Sequence, residues 1–384
     1  MRLQAVRPGL AYVVNALNPG GTERLVIEMS LAFAQEYRVS VFCLDEPGLW
    51  APELRERGIA VECLWRQPGL DLTMPGKLAQ AFRAHGTEII HAHQCTPWFY
   101  AALSRLRHSH PRLLLEEHGR FYPEADRRAR RIVNRLLIAP LTQRFVAVSA
   151  DIRARLVRYE GLDAARIEVI YNGVRVEAPL AAAARQALRS ELGLAPERFV
   201  VGTVGRFDAI KNLPLLARSI AAAREVAPQV CGLLVGDGPE LERIRALAQE
   251  LGLAEHIVLP GYRADARRLL QCLDLFALAS WSEGTSLALL ESMAARVPVA
   301  VTAVGGNPEI VEAGRTGWVV PSGDGAALTA AILAAVRDTP MRERLAAAGR
   351  RRYEEQFTLA RMIEAYRGLY RALLPTPAAA EQRT

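Results

Sequence analysis

Residues 274–291 read DLFALASWSEGTSLALLE. A short apolar run, 274–278, gives way to the small-residue loop Ala279-Ser280-Trp281-Ser282-Glu283-Gly284-Thr285-Ser286. Leu287, Leu290, Met293 and Ala294 then recur at the spacing of a helix's apolar face. Strand, loop and helix in this order form half of a βαβ unit, the way parallel strands are joined. A loop of small residues entering a helix presents free N–H groups and the positive end of the helix dipole, a seat for a diphosphate. Glu283 lies in the loop and Glu291 about two turns into the helix. Eight residues apart, they do not share a helix face, so each is expected to meet a different part of an elongated ligand. The plainer reading is that Thr285 or Ser286 only caps the helix while Glu291 faces solvent.

The same alternation runs outward in both directions. Strands are expected at 10–16, 38–43, 59–63, 88–92, 112–116, 144–148 and 167–170, with helices at 22–35, 75–84, 98–107, 125–137 and 150–159. Asn172-Gly173 punctuates the chain, and the Ala- and Pro-containing stretch 174–197 reads as a linker with one short helix at 181–191. Strands resume at 199–204, 230–235, 256–259, 274–278, 298–302 and 317–320. Helices are expected at 212–225, 239–250, 265–271, 286–295, 324–337, 340–348 and 358–373. The 384 residues exceed what one core usually serves. The division is therefore a first α/β domain over 1–175, a second over 176–357, a helix over 358–375 and a disordered tail over 376–384.

Apolar residues make up 51% and charged residues 23%, a globular composition. Five cysteines lack any short CxxC spacing and read as buried thiols in a reducing compartment. No stretch has the apolar length of a spanning helix, and the start lacks the pattern of a signal peptide, so a cytoplasmic location is expected. The net charge of +7 is concentrated early: 1–175 carries 24 basic and 18 acidic residues, against 24 and 23 in 176–384. Only Lys77 and Lys211 are lysines. An arginine bias of this kind says little about nucleic acid, and the sequence offers no aromatic platform for it.

Taken together, the segment 282–291 and its companions resemble the retaining glycosyltransferases of family 4, within the GT-B fold. The companions are GGTERL at 20–25, EEHGR at 116–120, YNGV at 171–174, VGRFDAIKN at 204–212, VGDGPE at 235–240, GYRAD at 261–265 and GGNPEIV at 305–311. The resemblance implies two Rossmann-like domains facing each other across a cleft, with the donor, a nucleotide-diphosphate sugar, on the second. It implies that Arg206 and Lys211 bind the donor phosphates beside Gly205, that Glu283 binds sugar hydroxyls, and that Glu291 binds the ribose. Gly284, Thr285, Ser286 and Leu287 would line phosphates and sugar with backbone groups. Tyr262 or Arg263 would flank the base, Gly20 and Gly21 would lie opposite the donor, and His118 would contact the transferred sugar. His118, Glu283, Arg206 and Lys211 are thus the expected catalytic group. The chain departs from the family pattern at Arg175, where an acidic residue often follows Asn-Gly-Val.

Taken as residues alone, Arg206 and Lys211 could be surface charges, Gly20-Gly21 a plain turn, and His118 a packed histidine. Of His91 and His93, one is expected to be structural. No Asp-x-Asp pair and no His/Cys/Asp cluster at ligand spacing is evident, so neither a metal nor another cofactor is expected. The expected reaction is retaining transfer of a hexose, from a UDP-sugar by family frequency, to a glycan or lipid-linked glycan of a cell-surface polysaccharide. A hydrolase or epimerase of the same fold, or a non-catalytic nucleotide-sugar binder, is the alternative. Residues 125–145 mix Arg127, Arg128, Arg130, Arg131, Arg135 and Arg144 with Ile132, Leu136, Leu137 and Ile138. Such a stretch suits a peripheral contact with an anionic membrane, or is an ordinary helix with a solvated face.

Overall fold

The computed structural model describes residues 7–119 and 128–374. Expectations that fall on 120–127, including Arg120 and Arg127, and on the tail 376–384 lie outside the described residues. The chain divides into two units, Met1–Tyr171 with Met362–Thr384, and Asn172–Arg361.

Seven parallel strands build the sheet of the first unit: β1 (Gly9–Val14), β2 (Arg38–Cys43), β3 (Ala60–Cys63), β4 (Thr87–His93), β5 (Arg112–Glu117), β6 (Arg144–Ala147) and β7 (Ile167–Val169). Their order is β3-β2-β1-β4-β5-β6-β7. Parallel strands covered on both faces read as unbroken apolar runs, which is why GLAYVV and RLLLEE were legible. Val13, Phe42, Ile90, Leu115 and Phe145 form the core beneath them with Trp98, which donates from Nε1 to Thr142 Oγ1 at 2.8 Å. The expected helices at 125–137 and 150–159 each change pitch. Arg128–Val133 passes into a π-helical turn at Asn134–Ile138, and Ala150–Arg155 into another at Leu156–Glu160. A further helix, Ala51–Glu56, went unread because six residues containing Pro52 are too few to show a period.

The second unit repeats the plan with β8 (Phe199–Val204), β9 (Val230–Val235), β10 (Ile257–Val258), β11 (Leu275–Leu278), β12 (Val299–Thr302) and β13 (Trp318–Val320). The order β10-β9-β8-β11-β12-β13, all parallel, reverses direction between β8 and β11. Open sheets of this kind bind ligands beyond the carboxyl ends of the strands at such a reversal. The corresponding reversal in the first unit lies between β1 and β4. Thr339–Gln356 is one helix, where the sequence suggested a stop near 348. Gly349 does not end it, because it is buried with its α-carbon turned toward the Thr316 carbonyl, where a larger residue would crowd. Among the described residues no helix is long and apolar enough to cross a membrane.

The stretch read as a linker is docked. Its helix, Ala182–Glu191, sends Arg185 and Arg189 to the carbonyls of Gln271 and Cys272. Both reach Asp274, at 2.9 and 2.6 Å, and the same carboxylate accepts from Val200 N at 2.8 Å. Arg189 is buried, so removing its partner leaves a desolvated cation. Asp274→Ala is expected to destabilise the second unit by about 3 kcal/mol, read from the urea midpoint of its transition, whereas Glu225→Ala on the surface should leave it unchanged.

Candidate functional site

Two loops leave the carboxyl ends of β8 and β11, side by side. The first passes through Gly205 and Arg206 to a single 3-10 turn, Ala209–Lys211, and into the helix Leu213–Val226. The second is Ala279–Ser286, entering the helix Leu287–Ala294. Lys211 Nζ donates to Glu283 Oε1 at 2.8 Å, and Ser280 Oγ donates to the same oxygen at 2.6 Å. The backbone adds Trp281 N to Ile210 O at 2.8 Å. Sequence reading assigned Lys211 to phosphate and Glu283 to sugar separately. The structure makes them one pair, which joins the loops and leaves the lysine side chain about a quarter exposed over a buried carboxylate.

The glycine motifs hold these loops in shape. Gly305 has φ +53, and a β-carbon there would lie 1.8 Å from the Glu283 carbonyl, so only glycine fits. Gly306 N donates to Gly284 O at 3.1 Å, Thr302 Oγ1 to Ser280 O at 2.8 Å, and Asn307 Nδ2 to Thr302 O at 3.0 Å. GGNPEIV is therefore a support under the loop 279–286. Gly236 does the same for the other loop, with its α-carbon against the Gly205 carbonyl. Asn172, read as a hinge or turn residue, donates from Nδ2 to Thr285 O at 3.1 Å. Ser286 caps the helix, its Oγ accepting from Leu289 N.

Arg206, Lys211, Gly205 and Leu278 line one hollow at this switch point. Arg206 is exposed, with its guanidinium 3.2 Å from Asp208. Glu291 stands just over one turn into its helix, not two, because the helix begins at Leu287. Its Oε1 accepts from Arg267 Nε at 2.7 Å, and the two share a second hollow with Arg175 and Gln271. Arg267 was not foreseen: it lies in a plain helical pattern, and only the fold brings it to Glu291. Arg263 is held by Asp265, at 2.8 and 2.9 Å, and by Glu191, while Tyr262 is exposed.

In the first unit the expected residues lie at or just beyond the carboxyl ends of β1, β4 and β5. Gly20 and Gly21 open the helix Gly21–Phe33. Gly20 is extended, with φ −169, and a β-carbon there would crowd the flexible end of Glu23. His118 follows β5 and packs into a buried group with His91, His93 and Glu116. Both β4 histidines belong to it. His93 Nδ1 lies 2.9 Å from His118 Nε2, and His91 Nε2 lies 3.0 Å from Glu116 Oε2. The rings stack, with centroids 4.2 Å apart for His91–His93 and 5.2 Å for His93–His118.

Burial pushes the His118 and His93 imidazoles below the usual histidine range, His93 strongly, against the pull of Glu116 on His118. Burial alone would raise the Glu116 carboxyl, but His118, His91 and Tyr366 outweigh it and hold the group below its usual range. His91, His93 and Glu116 also offer atoms within 4.8 Å of one another that a metal ion would accept. At the distances above, those atoms already contact one another or His118.

Two family models match the chain. One, described as Glycosyltransferase Family 4, matches 19–178, and the other, Glycosyl transferases group 1, matches 184–352. A D-inositol 3-phosphate glycosyltransferase of Mycobacterium marinum is 34% identical over 197 residues, 50% of this chain and 42% of that protein. An N-acetyl-alpha-D-glucosaminyl L-malate synthase of Bacillus anthracis is 29% identical over 184 residues, 48% of each. The matched part thus spans less than half the length of these curated relatives. Among solved structures, Anabaena Alr3699/HepE in complex with UDP and glucose superposes with a TM-score of 0.83 over 95% of this chain and 99% of that one, at 24% identity. The lipopolysaccharide-biosynthesis glycosyltransferase WaaG does so with 0.72, over 93% and 98%, at 16% identity. These likenesses establish the GT-B fold.

The histidine cluster sets an acid limit on stability. The folded His93 and His118 imidazoles bind protons less readily than unfolded ones, so the unfolded state takes up protons first as the pH drops below about 6.5. Stability is fully present above that value and declines below it. Between pH 7.5 and 5.5 the loss should be about 1–3 kcal/mol, measured as the shift in urea midpoint. His93→Asn should flatten that slope.

Proposed function

Because the chain belongs to the glycosyltransferases of family 4 and group 1, we propose that it is a retaining, metal-independent transferase that moves a hexose from a UDP-sugar to a glycan or lipid-linked glycan. The observation that carries this reading is the Lys211–Glu283 pair, set between two strand-end loops at the switch point of β8 and β11. Arg206, Lys211 and the start of the helix Leu287–Ala294 supply fixed positive charge where a departing diphosphate gathers negative charge. Held by Lys211 and Ser280, the Glu283 carboxylate accepts hydrogen bonds from sugar hydroxyls through its remaining lone pairs. Glu291, steadied by Arg267, takes the ribose hydroxyls. His118, in the first unit, contacts the transferred sugar.

Departure of the diphosphate and attack by the acceptor occur on one sugar face, through an oxocarbenium-like state, and the donor phosphate takes the acceptor's proton. The protein's contribution is placement and electrostatics, with no metal or other cofactor. UDP is favoured by the family's habits, and UDP is also what the Alr3699/HepE structure is described as holding.

For the acceptor, the exposed apolar side chains Ile132, Leu136 and Leu137 stand among Arg128, Arg131 and Arg135. The helix Arg128–Val133 buries none of its residues. Apolar side chains interleaved with arginines suit the headgroup region of an anionic bilayer, and so a lipid-linked acceptor in cell-surface polysaccharide assembly. Arg130 is the exception, since it pairs with buried Glu160.

Calorimetry with UDP-, GDP- and ADP-sugars should show binding for the UDP series, unchanged by EDTA; silence across all three would sink the reading. Lys211→Ala is expected to lower kcat about 10²–10³-fold, with a smaller effect on donor binding. Turnover at the full rate without acceptor would favour a hydrolase, and turnover with malate or inositol phosphate would replace the glycan acceptor. In a separate measurement, the protein should sediment with vesicles containing phosphatidylglycerol and not with phosphatidylcholine alone. Leu136→Asp with Leu137→Asp should abolish that binding without changing donor affinity.

A further inference from the structure

We propose that Tyr370, His91, Glu116 and His93 order the protons around His118, so that its ring is held as the Nδ1–H tautomer and meets the substrate as a hydrogen-bond donor. The inference rests on the reading of His118 as a sugar contact and adds four positioning residues to it. All the groups lie in the first unit, the two tyrosines Tyr366 and Tyr370 coming from the last helix, Leu359–Leu373.

The ordering follows from counting donors. The Tyr370 hydroxyl lies 2.7 Å from His91 Nδ1 and 3.2 Å from the Tyr12 hydroxyl. A hydroxyl has one proton. Given to His91 across the shorter contact, it leaves Tyr370 to accept from Tyr12. His91 then carries its own proton on Nε2, which faces Glu116 Oε2 at 3.0 Å. Tyr366 turns another hydroxyl toward Glu116, and this hydroxyl makes no well-formed hydrogen bond. The groups that can supply a proton on this side therefore face the carboxylate, although none closes a well-formed hydrogen bond to it.

On its other side stands His93. Its Nδ1 faces Glu116 Oε2 at 3.5 Å and His118 Nε2 at 2.9 Å. Its Nε2 is buried without a partner. A proton on Nδ1 is therefore satisfied, whereas a proton on Nε2 would be a buried, unpaired donor at a cost of about 1–3 kcal/mol. With His93 donating, His118 Nε2 accepts, and the single proton of the neutral His118 ring sits on Nδ1. Glu116 Oε1 lies 3.7 Å from the same Nε2, too far for a hydrogen bond. Among the described residues no hydrogen bond engages Nδ1 of His118. A neutral ring in this state offers an N–H to a sugar oxygen and has no free lone pair to act as a base.

The test is long-range proton–nitrogen correlation NMR on the full chain with its seven histidines labelled in the ring, His118→Gln providing the assignment. The wild type should show His118 as Nδ1–H. Glu116→Gln should shift His118 toward Nε2–H and lower kcat about tenfold with donor KM within about twofold. Tyr370→Phe, which keeps the carboxylate, should shift it partway, and it decides the matter if Glu116→Gln does not fold. An Nε2–H or doubly protonated His118 in the wild type, an unchanged tautomer in both variants, or stoichiometric zinc in the purified protein would overturn the relay. The expected tautomers without glycosyl transfer from any UDP-sugar would leave the relay standing and remove the function proposed above.

Discussion

Lys211 and Glu283 occupy loops that leave neighbouring parallel strands, and each explains the other's setting. A carboxylate as buried as Glu283 needs a partner to remain charged, and Lys211 is rigidly placed only because a carboxylate holds its end. Around the pair, Ser280, Thr302, Asn307 and two glycines spend their hydrogen bonds or their lack of a side chain on the shape of the loops. Charge and backbone are thus fixed before any ligand arrives, the condition under which electrostatics lowers a barrier instead of merely screening it.

Much of this second unit was legible in the sequence. Its strands are buried on both faces, so they appear as apolar runs whose ends barely move between reading and structure. Loop residues such as Arg206, Lys211 and Glu283 stand out because they follow those runs directly. Their pairings were not legible. Lys211 and Glu283 are 72 positions apart, and Arg267 and Glu291 24 apart, with no local pattern to link them. The helix Ala182–Glu191 was legible but its docking was not, for the same reason: Arg185 and Arg189 find their partners near residue 274, whereas the surrounding Ala and Pro look like linker composition.

The histidines of the first unit teach a different lesson. His118 was singled out by family likeness, and His91 and His93 were divided into one structural residue and one other. The structure stacks all three against one carboxylate. Glu116, two positions before His118, was not singled out because a glutamate at the end of an apolar strand reads as the strand's polar terminus. Only burial reveals that it sits inside.

The partner of His91 in this group, Tyr370, follows it by 279 positions, and the whole second unit, Asn172–Arg361, is encoded between them. At ribosomal rates of about 5–20 residues per second, the tyrosine is made roughly 14–56 s after the histidine. For that interval the chain holds the carboxylate and imidazoles of the first sheet without the tyrosines that cover them. Synthesis therefore imposes an order of maturation: the second unit is complete in the chain before the first can close, and a nascent chain cut short anywhere before the last helix carries the histidines without the hydroxyls that arrange them.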